Sequence, residues 1–323
     1  MVGPKIDILL LGIAKPAIVA GLRQHFNLHV MAEAKDGEAL LASLAPELRA
    51  IASSGPTGPV KADLMARCPK LEIVSSWGVG YDHVDAAWAG NHGIIVTHTP
   101  DVLTEEVADL AFGLLLATLR EIPRAEKHLR DGRWTAGDYP LTRGTLRGKT
   151  VGIVGLGRIG RAIARRLDAS LVTVVYHGRT QQKGVAYRYH PDLLAMARDA
   201  DVLMVVTPGG ADTRALIDAD VLAALGPDGY LINVARGTVV DEAALIAALK
   251  AGTIAGAGLD VFETEPHVPA ELIACENAVL LPHVGSASLH TRGLMEELVA
   301  DNLVSWSAGR GPLTPVPETP WPR

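Results

Sequence analysis

The chain has 323 residues, 48% of them hydrophobic, and carries a formal net charge of −6 at pH 7. At about 150 residues per domain this length predicts two domains, and the hydrophobic fraction is sufficient for buried cores. The net negative charge argues against a nucleic-acid partner.

The number of cysteines and the length of the apolar stretches argue against several further classes of protein. Cys68 and Cys275 are too far apart for a CxxC motif, so neither a disulfide framework nor a cysteine zinc site is expected, and we predict no metal. The longest apolar stretches, Ile8–Ala14 and Leu110–Leu119, are too short to cross a bilayer. The N-terminus has no signal-peptide pattern. We therefore expect a cytoplasmic protein with no membrane partner.

The first part of the chain alternates short apolar runs with helical patterns. The runs predict buried strands at Ile6–Leu11, Ala50–Gly55, Leu71–Ser76 and Gly93–Thr97. The helical patterns between them lie at Pro16–Gln24, Gly37–Leu44 and Lys61–Arg67. Such alternation predicts a parallel sheet with helices on both faces.

A long helical pattern from Thr104 to about Arg130 leads into a second alternating unit. That unit has predicted helices that include Ile159–Leu167 and Glu242–Lys250, and its predicted strands are Thr150–Val154, Leu171–Tyr176, Val202–Val206, Tyr230–Asn233, Ala257–Leu259 and Ala278–Leu281. A last helix, from about Leu289 to Ala308, leads back towards the first unit. We expect an α/β protein with two Rossmann-like or flavodoxin-like parallel-sheet domains and an active-site cleft between them.

A glycine-rich loop follows the first strand of the second unit. It reads Gly155-Leu156-Gly157-Arg158-Ile159-Gly160 and opens a predicted helix. Glycines permit the tight turn and let the backbone approach a pyrophosphate, which the helix N-terminus attracts. The strand–loop–helix context therefore predicts a dinucleotide site that includes Arg158 and Ile159.

The end of the next strand indicates which dinucleotide is bound. It reads Tyr176-His177-Gly178-Arg179-Thr180, without the carboxylate that usually binds the ribose hydroxyls of NAD. Arg179 can instead hold a 2′-phosphate through charge-assisted hydrogen bonds. We predict a preference for NADP(H), with NAD(H) as the alternative cofactor if Arg179 is only a solvated loop residue.

Three ionisable residues follow predicted strands of the second sheet. Arg236 lies in Asn233–Gly237, Glu265 in Asp260–Pro266 and His283 in Leu281–Ser286. Ligands of open α/β sheets bind outside the carboxyl ends of the strands, so these side chains should converge. A histidine can donate a proton near neutrality, a carboxylate can orient it, and a guanidinium can hold a carboxylate anion. This set of groups suits the reduction of a 2-keto acid.

With these motifs in this order, the chain resembles the D-isomer-specific 2-hydroxyacid dehydrogenase family over nearly its whole length. Within it, Val74–Asp85 and Thr99–Thr104 resemble the glyoxylate/hydroxypyruvate reductase and hydroxyphenylpyruvate reductase branch. The resemblance implies that His283 is the acid/base, Glu265 its partner and Arg236 the substrate clamp.

The resemblance also implies further contacts. For the substrate these are the backbone N–H groups of Val79 and Gly80, beside Gly78, with pocket walls at Ser54 and Trp77. For the cofactor they are Thr207, Pro208, Val234, Ala235, Asp260 and Gly285. The implied assembly is a homodimer formed through the helix after Thr104 and an arm near Trp134–Pro140. The implied domains are residues 1–98 with 288–323 for substrate and 99–287 for the dinucleotide.

The function predicted from these features is the NADPH-dependent reduction of glyoxylate and hydroxypyruvate. A reductase of a larger acid, hydroxyphenylpyruvate or 2-ketogluconate, is the alternative, because the effect of the bulky Trp77 on the pocket is open. A non-catalytic dinucleotide-sensing corepressor would be expected to have lost one of the three ionisable residues. An NAD-linked phosphite or formate oxidation would favour an acidic residue after Tyr176.

Overall fold

In residues 5–321, which the computed structural model describes, twelve strands form two separate sheets. Every strand pairs with its neighbours in parallel. The chain divides accordingly into two units, Met1–Leu103 with Ser288–Arg323, and Thr104–Ala287. The predicted α/β class with two parallel-sheet domains is confirmed. Within this described part of the chain, no helix has the length and apolar character needed to span a membrane.

The first unit is a five-stranded sheet with helices on both faces. Its elements in this part of the chain are β1 (Asp7–Leu11), α1 (Pro16–His25), β2 (Asn27–Val30), α2 (Gly37–Leu44), β3 (Ala50–Ser53), α3 (Ala62–Ala66), β4 (Ile73–Ser76), α4 (Ala86–Asn91) and β5 (Ile95–Thr97). The strand order is β2-β1-β3-β4-β5, which is the flavodoxin-like order.

Strand β1 shows why this sheet is buried on both faces. Its side chains alternate, so that Ile8 and Leu10 join one hydrophobic cluster while Leu9 and Leu11 join the other. Ile8, Leu9 and Leu10 are fully buried. Burial of such a side chain stabilises the fold by about 1.5–3 kcal/mol, so both helical layers are held to the sheet.

The second unit has a seven-stranded sheet. Its elements are α5 (Thr104–Leu119), α6 (Ile122–Arg130), β6 (Thr150–Val154), α7 (Arg158–Asp168), β7 (Thr173–His177), β8 (Arg188–His190), α8 (Leu193–Asp199), β9 (Val202–Val205), α9 (Ala219–Leu225), β10 (Tyr230–Asn233), α10 (Glu242–Ala251), β11 (Gly256–Leu259), α11 (Ala270–Ile273) and β12 (Ala278–Leu280). The strand order β12-β11-β10-β9-β6-β7-β8 contains the order of dinucleotide-binding Rossmann sheets.

The long helix predicted from Thr104 to Arg130 is two helices in the structure. Helix α5 ends at Leu119 and α6 starts at Ile122, and Glu121 between them has a φ of 49°, in the left-handed region. Pro123 lies in the first turn of α6. Proline lacks a backbone N–H and its ring clashes with the preceding turn, so it is tolerated at a helix start but not in the interior.

The C-terminal segment completes the first unit. Helix α12 (Leu289–Ser307) begins after Ser288, whose side chain accepts the N–H of Thr291, and it packs against α1. The following segment returns to β5, where Val316 is fully buried and Thr319 Oγ1 accepts the N–H of Val96 at 2.8 Å. These contacts fix the extended tail on the sheet.

Candidate active site

Arg236 lies in a loop that Asn233 holds in shape. Asn233 is the last residue of β10, and its Oδ1 accepts the N–H of Ala235 at 3.0 Å. Its Nδ2 donates to the carbonyl oxygen of Arg236 at 3.1 Å. Arg236 Nη1 donates to the carbonyl of Ala235 at 2.8 Å. The side chain of Asn233 therefore fixes the backbone that presents Arg236 beyond the end of β10.

Gly237 lets this loop touch the loop that follows β11. A Cβ atom at position 237 would lie 1.8 Å from the carbonyl carbon of Phe262 and 2.3 Å from the nitrogen of Glu263. No side chain fits at such distances, so only glycine permits this contact. This contact brings the loops of Arg236 and Glu265 together. No sequence motif predicted the contact.

Gly237→Ala is therefore expected to lower the free energy of unfolding by about 1–3 kcal/mol through overpacking. Urea denaturation followed by circular dichroism measures this change. Gly293→Ala is the matched control, because Gly293 lies in α12 and a Cβ atom added there would meet no atom within 4 Å. Equal stability of the two variants would contradict the close contact.

His283 and Glu265 form a hydrogen-bonded pair. The Nδ1 atom of His283 lies 2.7 Å from Glu265 Oε2. Glu265 Oε1 in turn accepts the N–H of Phe262 at 3.1 Å, which orients the carboxylate. The side chains remain 44% and 34% exposed, so reactants can reach the imidazole. Because a carboxylate accepts at Nδ1, Nε2 is the nitrogen available to a reactant.

The pKa of Glu265 lies below its ordinary value. Burial by itself raises this pKa. The hydrogen bond from His283, the charge of His283, the N–H of Phe262 and the charge of Arg236 together lower the pKa by more than burial raises it. Glu265 therefore stays ionised around neutral pH. The ionised carboxylate can accept the Nδ1 proton of His283 and so hold the ring in one orientation.

Asp260 holds the backbone next to His283. Its Oδ1 accepts the N–H of Val284 at 2.7 Å and its Oδ2 accepts the N–H of Gly285 at 2.8 Å. Burial raises the pKa of Asp260, against the effect of these N–H groups and of His283. His283 has a φ of 52°, a strained region for a side-chain-bearing residue. The carboxylate of Asp260 stabilises the turn in which that strain occurs.

The glycine-rich loop fits a dinucleotide. Gly155 has a φ of 101°, and a Cβ there would lie 2.8 Å from the nitrogen of Thr207. A Cβ at Gly160 would lie 2.2 Å from the carbonyl oxygen of Gly155, whereas one at Gly157 would meet no atom within 4 Å. Helix α7 starts here with Arg158 and Ile159 and has no side-chain cap. Open space before a helix N-terminus suits a pyrophosphate.

The loop after β7 carries the residues predicted for the adenosine end. His177 Nδ1 bonds the carbonyl of His190 at 2.9 Å, while Arg179 and Thr180 beyond Gly178 are exposed. Within residues 5–321, Arg179 makes no ion pair.

Two residues of this loop were not predicted. Gln182 Nε2 donates to the carbonyl of Leu156 at 2.7 Å and ties the loop to the glycine-rich loop. Lys183 is a second exposed cation, and it forms no ion pair with the described residues. The sequence feature that could have identified Lys183 is the presence of a second cation four positions after Arg179.

The remaining residues predicted for the second unit lie at the same edge of its sheet. Thr207 and Pro208 follow β9, and Val234 donates its N–H to the carbonyl of Val205 at 3.1 Å. All the predicted sites of this unit thus follow the carboxyl ends of β6, β7, β9, β10, β11 and β12. Among the residues described, no group of three or more histidine, cysteine or acidic side chains is placed to hold a metal.

The first unit places its predicted residues after β3 and β4. Ser54 is buried, with its Oγ 3.1 Å from Thr57 Oγ1. The N–H of Gly78 donates to Thr99 Oγ1 at 2.9 Å, and this glycine has a φ of 124°. The N–H groups of Val79 and Gly80, which follow Trp77 and Gly78, donate to no group in the described chain. They remain available to an anion.

Residues 112–285 match the family described as D-isomer specific 2-hydroxyacid dehydrogenase, NAD binding domain. The chain belongs to the D-isomer-specific 2-hydroxyacid dehydrogenase family. The resemblance found in the motifs is therefore confirmed.

Individual relatives agree with this membership. A glyoxylate/hydroxypyruvate reductase of Arabidopsis thaliana is 46% identical over 91% of this chain and 94% of its own length. A hydroxyphenylpyruvate reductase of Plectranthus scutellarioides is 47% identical over 85% of this chain and 88% of its own. The crystal structure of an NADPH-dependent glyoxylate/hydroxypyruvate reductase from Sinorhizobium meliloti, in complex with NADP and malonate, is 51% identical. It covers 99% of each chain with a TM-score of 0.92.

Proposed function

We propose that this protein is an NADPH-dependent reductase of small 2-keto acids, glyoxylate and hydroxypyruvate, and forms the D-2-hydroxy acids. The observation that carries the proposal is the His283–Glu265 pair at 2.7 Å, in loops that follow the neighbouring strands β12 and β11. Arg236 lies in the adjoining loop after β10, and its positive charge helps to lower the pKa of Glu265.

The side chains of the pair supply the proton. His283 donates from Nε2 to the carbonyl oxygen of the keto acid, and Glu265 stabilises the protonated ring and fixes its orientation. Arg236 holds the substrate carboxylate and stabilises the negative charge that develops on the oxygen. In the first unit, the unused N–H groups of Val79 and Gly80 are assigned to substrate binding.

The cofactor site is assigned to the edge of the second sheet. Gly155, Gly157 and Gly160 with the start of α7 would hold the pyrophosphate, and Arg179 with Thr180 the 2′-phosphate. Residues nearer the nicotinamide would be Thr207, Pro208, Val234, Ala235, Asp260 and Gly285. When bound, the nicotinamide supplies the hydride that the carbonyl carbon accepts.

The assignment extends to the domains and the assembly. Residues 1–98 with 288–323 would bind the substrate, and residues 99–287 the dinucleotide. A cytoplasmic homodimer would form through α5 and the arm near Trp134–Pro140, because Trp134 is 62% exposed and tryptophan is enriched in interfaces. Sedimentation equilibrium that gives the monomer mass would contradict the dimer.

A larger substrate is the second candidate. The relative that is 47% identical is named for hydroxyphenylpyruvate, and Trp77 offers an aromatic face for such a ring. A corepressor without catalysis is disfavoured, because the described site retains an ordered acid/base pair.

Initial rates of NADPH and NADH oxidation with glyoxylate, hydroxypyruvate, hydroxyphenylpyruvate and 2-ketogluconate test the proposal. We expect the highest kcat/KM with NADPH and the two small acids. Turnover of a larger acid alone would agree with the proposed mechanism but show that the larger acid is the substrate. An absence of turnover with all four would contradict the proposed function.

Arg179→Ala is expected to raise the KM for NADPH about 10- to 100-fold, because a hydrogen bond to a charged group contributes about 1.5–3 kcal/mol. The KM for NADH should change little, since NADH has no 2′-phosphate. Steady-state kinetics with both cofactors measure the difference. Arg198→Ala, at an exposed arginine in α8, is the control. Equal effects on both cofactors would remove Arg179 from the phosphate site.

A further inference from the structure

Trp77 carries two cations on its indole ring in the first unit. Lys15 Nζ lies 4.0 Å from the ring centroid, and the Cζ of Arg292 lies 5.7 Å from it. Lys15 precedes α1, Trp77 follows β4 and Arg292 is in the first turn of α12. Three distant segments of the chain therefore bring two like charges to one aromatic ring, whose faces attract cations.

These cations have no counter-charge at bonding distance. Within residues 5–321 neither side chain forms an ion pair or a hydrogen bond. Glu296 is near enough to favour the charged form of Lys15, but its Oε2 accepts the N–H of Ala17 at 2.9 Å. The pKa of Lys15 is nevertheless lowered, first by burial and also by the charge of Arg292.

The cluster also has donors without acceptors. The Nε atom of Arg292 and the Nε1 atom of Trp77 are shielded from solvent and have no hydrogen-bond partner in the described structure. Buried polar groups in proteins are nearly always paired, so an excess of unpaired donors and positive charge calls for an explanation. A bound anion would accept hydrogen bonds from the unpaired donors and neutralise the positive charge.

The cluster adjoins the residues proposed to bind the substrate. A Cβ atom on Gly55 would lie 3.0 Å from Trp77 Cε3, so the indole packs on the segment that contains Ser54. On its other side Trp77 continues directly into Gly78, Val79 and Gly80. The cations therefore lie next to the loop whose free N–H groups suit a carboxylate.

We propose that Lys15, Arg292 and Trp77 form a subsite for a second carboxylate, at the end of a 2-keto acid remote from its keto group. This inference rests on the proposed function and extends its substrates from glyoxylate and hydroxypyruvate to 2-keto diacids. A carboxylate neutralises the paired cations and accepts charge-assisted hydrogen bonds from them. A neutral chain end does neither, and would leave the like charges unbalanced.

The test compares oxaloacetate with 2-ketovalerate, an acid of similar length without the second carboxylate. In the unmodified protein kcat/KM with NADPH should be at least about tenfold higher for oxaloacetate, as expected for charge-assisted contacts. Lys15→Met and Arg292→Gln should each lower the ratio of the two kcat/KM values about tenfold. Lys15→Arg should retain it. The ratio is independent of the fraction of folded enzyme, so partial misfolding does not affect it.

Lys35→Met and Arg310→Gln, at exposed cations of the same unit, serve as controls and should leave the ratio unchanged. The subsite is overturned if the unmodified protein does not distinguish the two acids, or if the ratio is the same in the Lys15 and Arg292 variants as in the controls. Turnover of glyoxylate together with such a result contradicts the subsite alone. A failure to reduce any keto acid, glyoxylate included, contradicts the proposed function and the subsite with it.

Discussion

Replacing His283 by alanine is expected to lower kcat for keto-acid reduction by about 10²- to 10⁴-fold, the usual contribution of a positioned general acid. The loss arises because His283 is the group that Glu265 holds in place to deliver the proton. The affinity for NADPH should be nearly unchanged, since the glycine-rich loop follows a different strand. Steady-state kinetics and a fluorescence titration with NADPH measure the two quantities.

His25→Ala is the control for this variant, because His25 is exposed in the last turn of α1. It should retain the activity of the unmodified protein. A His283→Ala variant that loses NADPH affinity to the same degree as activity would show that the histidine has a structural role instead.

Arg236→Ala is expected to lower kcat/KM for the keto acid by about 10²- to 10³-fold, comparable to the removal of one group that stabilises an oxyanion. Both the carboxylate contact and the charge opposite the developing oxyanion are lost. Arg236→Lys should recover only part of the activity, because lysine cannot form a bidentate pair. The same kinetic series measures both variants.

Arg147→Ala, at an exposed arginine of the same unit, provides the control for the loss of a positive charge. Kinetics unchanged in Arg236→Ala would exclude this residue from the site. The Asn233 contacts to the loop backbone do not involve the guanidinium, so the loop should keep its shape in the variant.

Much of the fold was predictable because several buried strands, such as β1 and β9, carry continuous apolar runs. Strand β1 is one example, since Ile8 to Leu10 are fully buried and nothing polar interrupts them. Strands β2 and β8 were not predicted. They lie at the sheet edges, and sequences such as Asn27–Val30 and Arg188–His190 carry polar residues that solvent tolerates there.

The acid/base pair was predictable for a topological reason. Residues that follow neighbouring parallel strands meet at one edge, so the order of Glu265 and His283 along the chain was sufficient. The contact at Gly237 and the turn held by Asp260 depend on loop conformations, which have no periodic pattern. The cations on Trp77 come from segments more than two hundred positions apart, from Lys15 to Arg292, and no local pattern joins them.

The strand order of the second sheet separates the residues proposed to set the coenzyme preference from those proposed to donate the proton. Glu265 and His283 follow β11 and β12 on one side of the sheet, Arg179 follows β7 on the other, and β10, β9 and β6 lie between. Substitutions near β7 therefore leave the proton-donating pair and its supporting contacts in place. Descendants of one ancestor with this sheet can exchange coenzymes during evolution and keep their chemistry, and an engineer can alter the two traits one at a time.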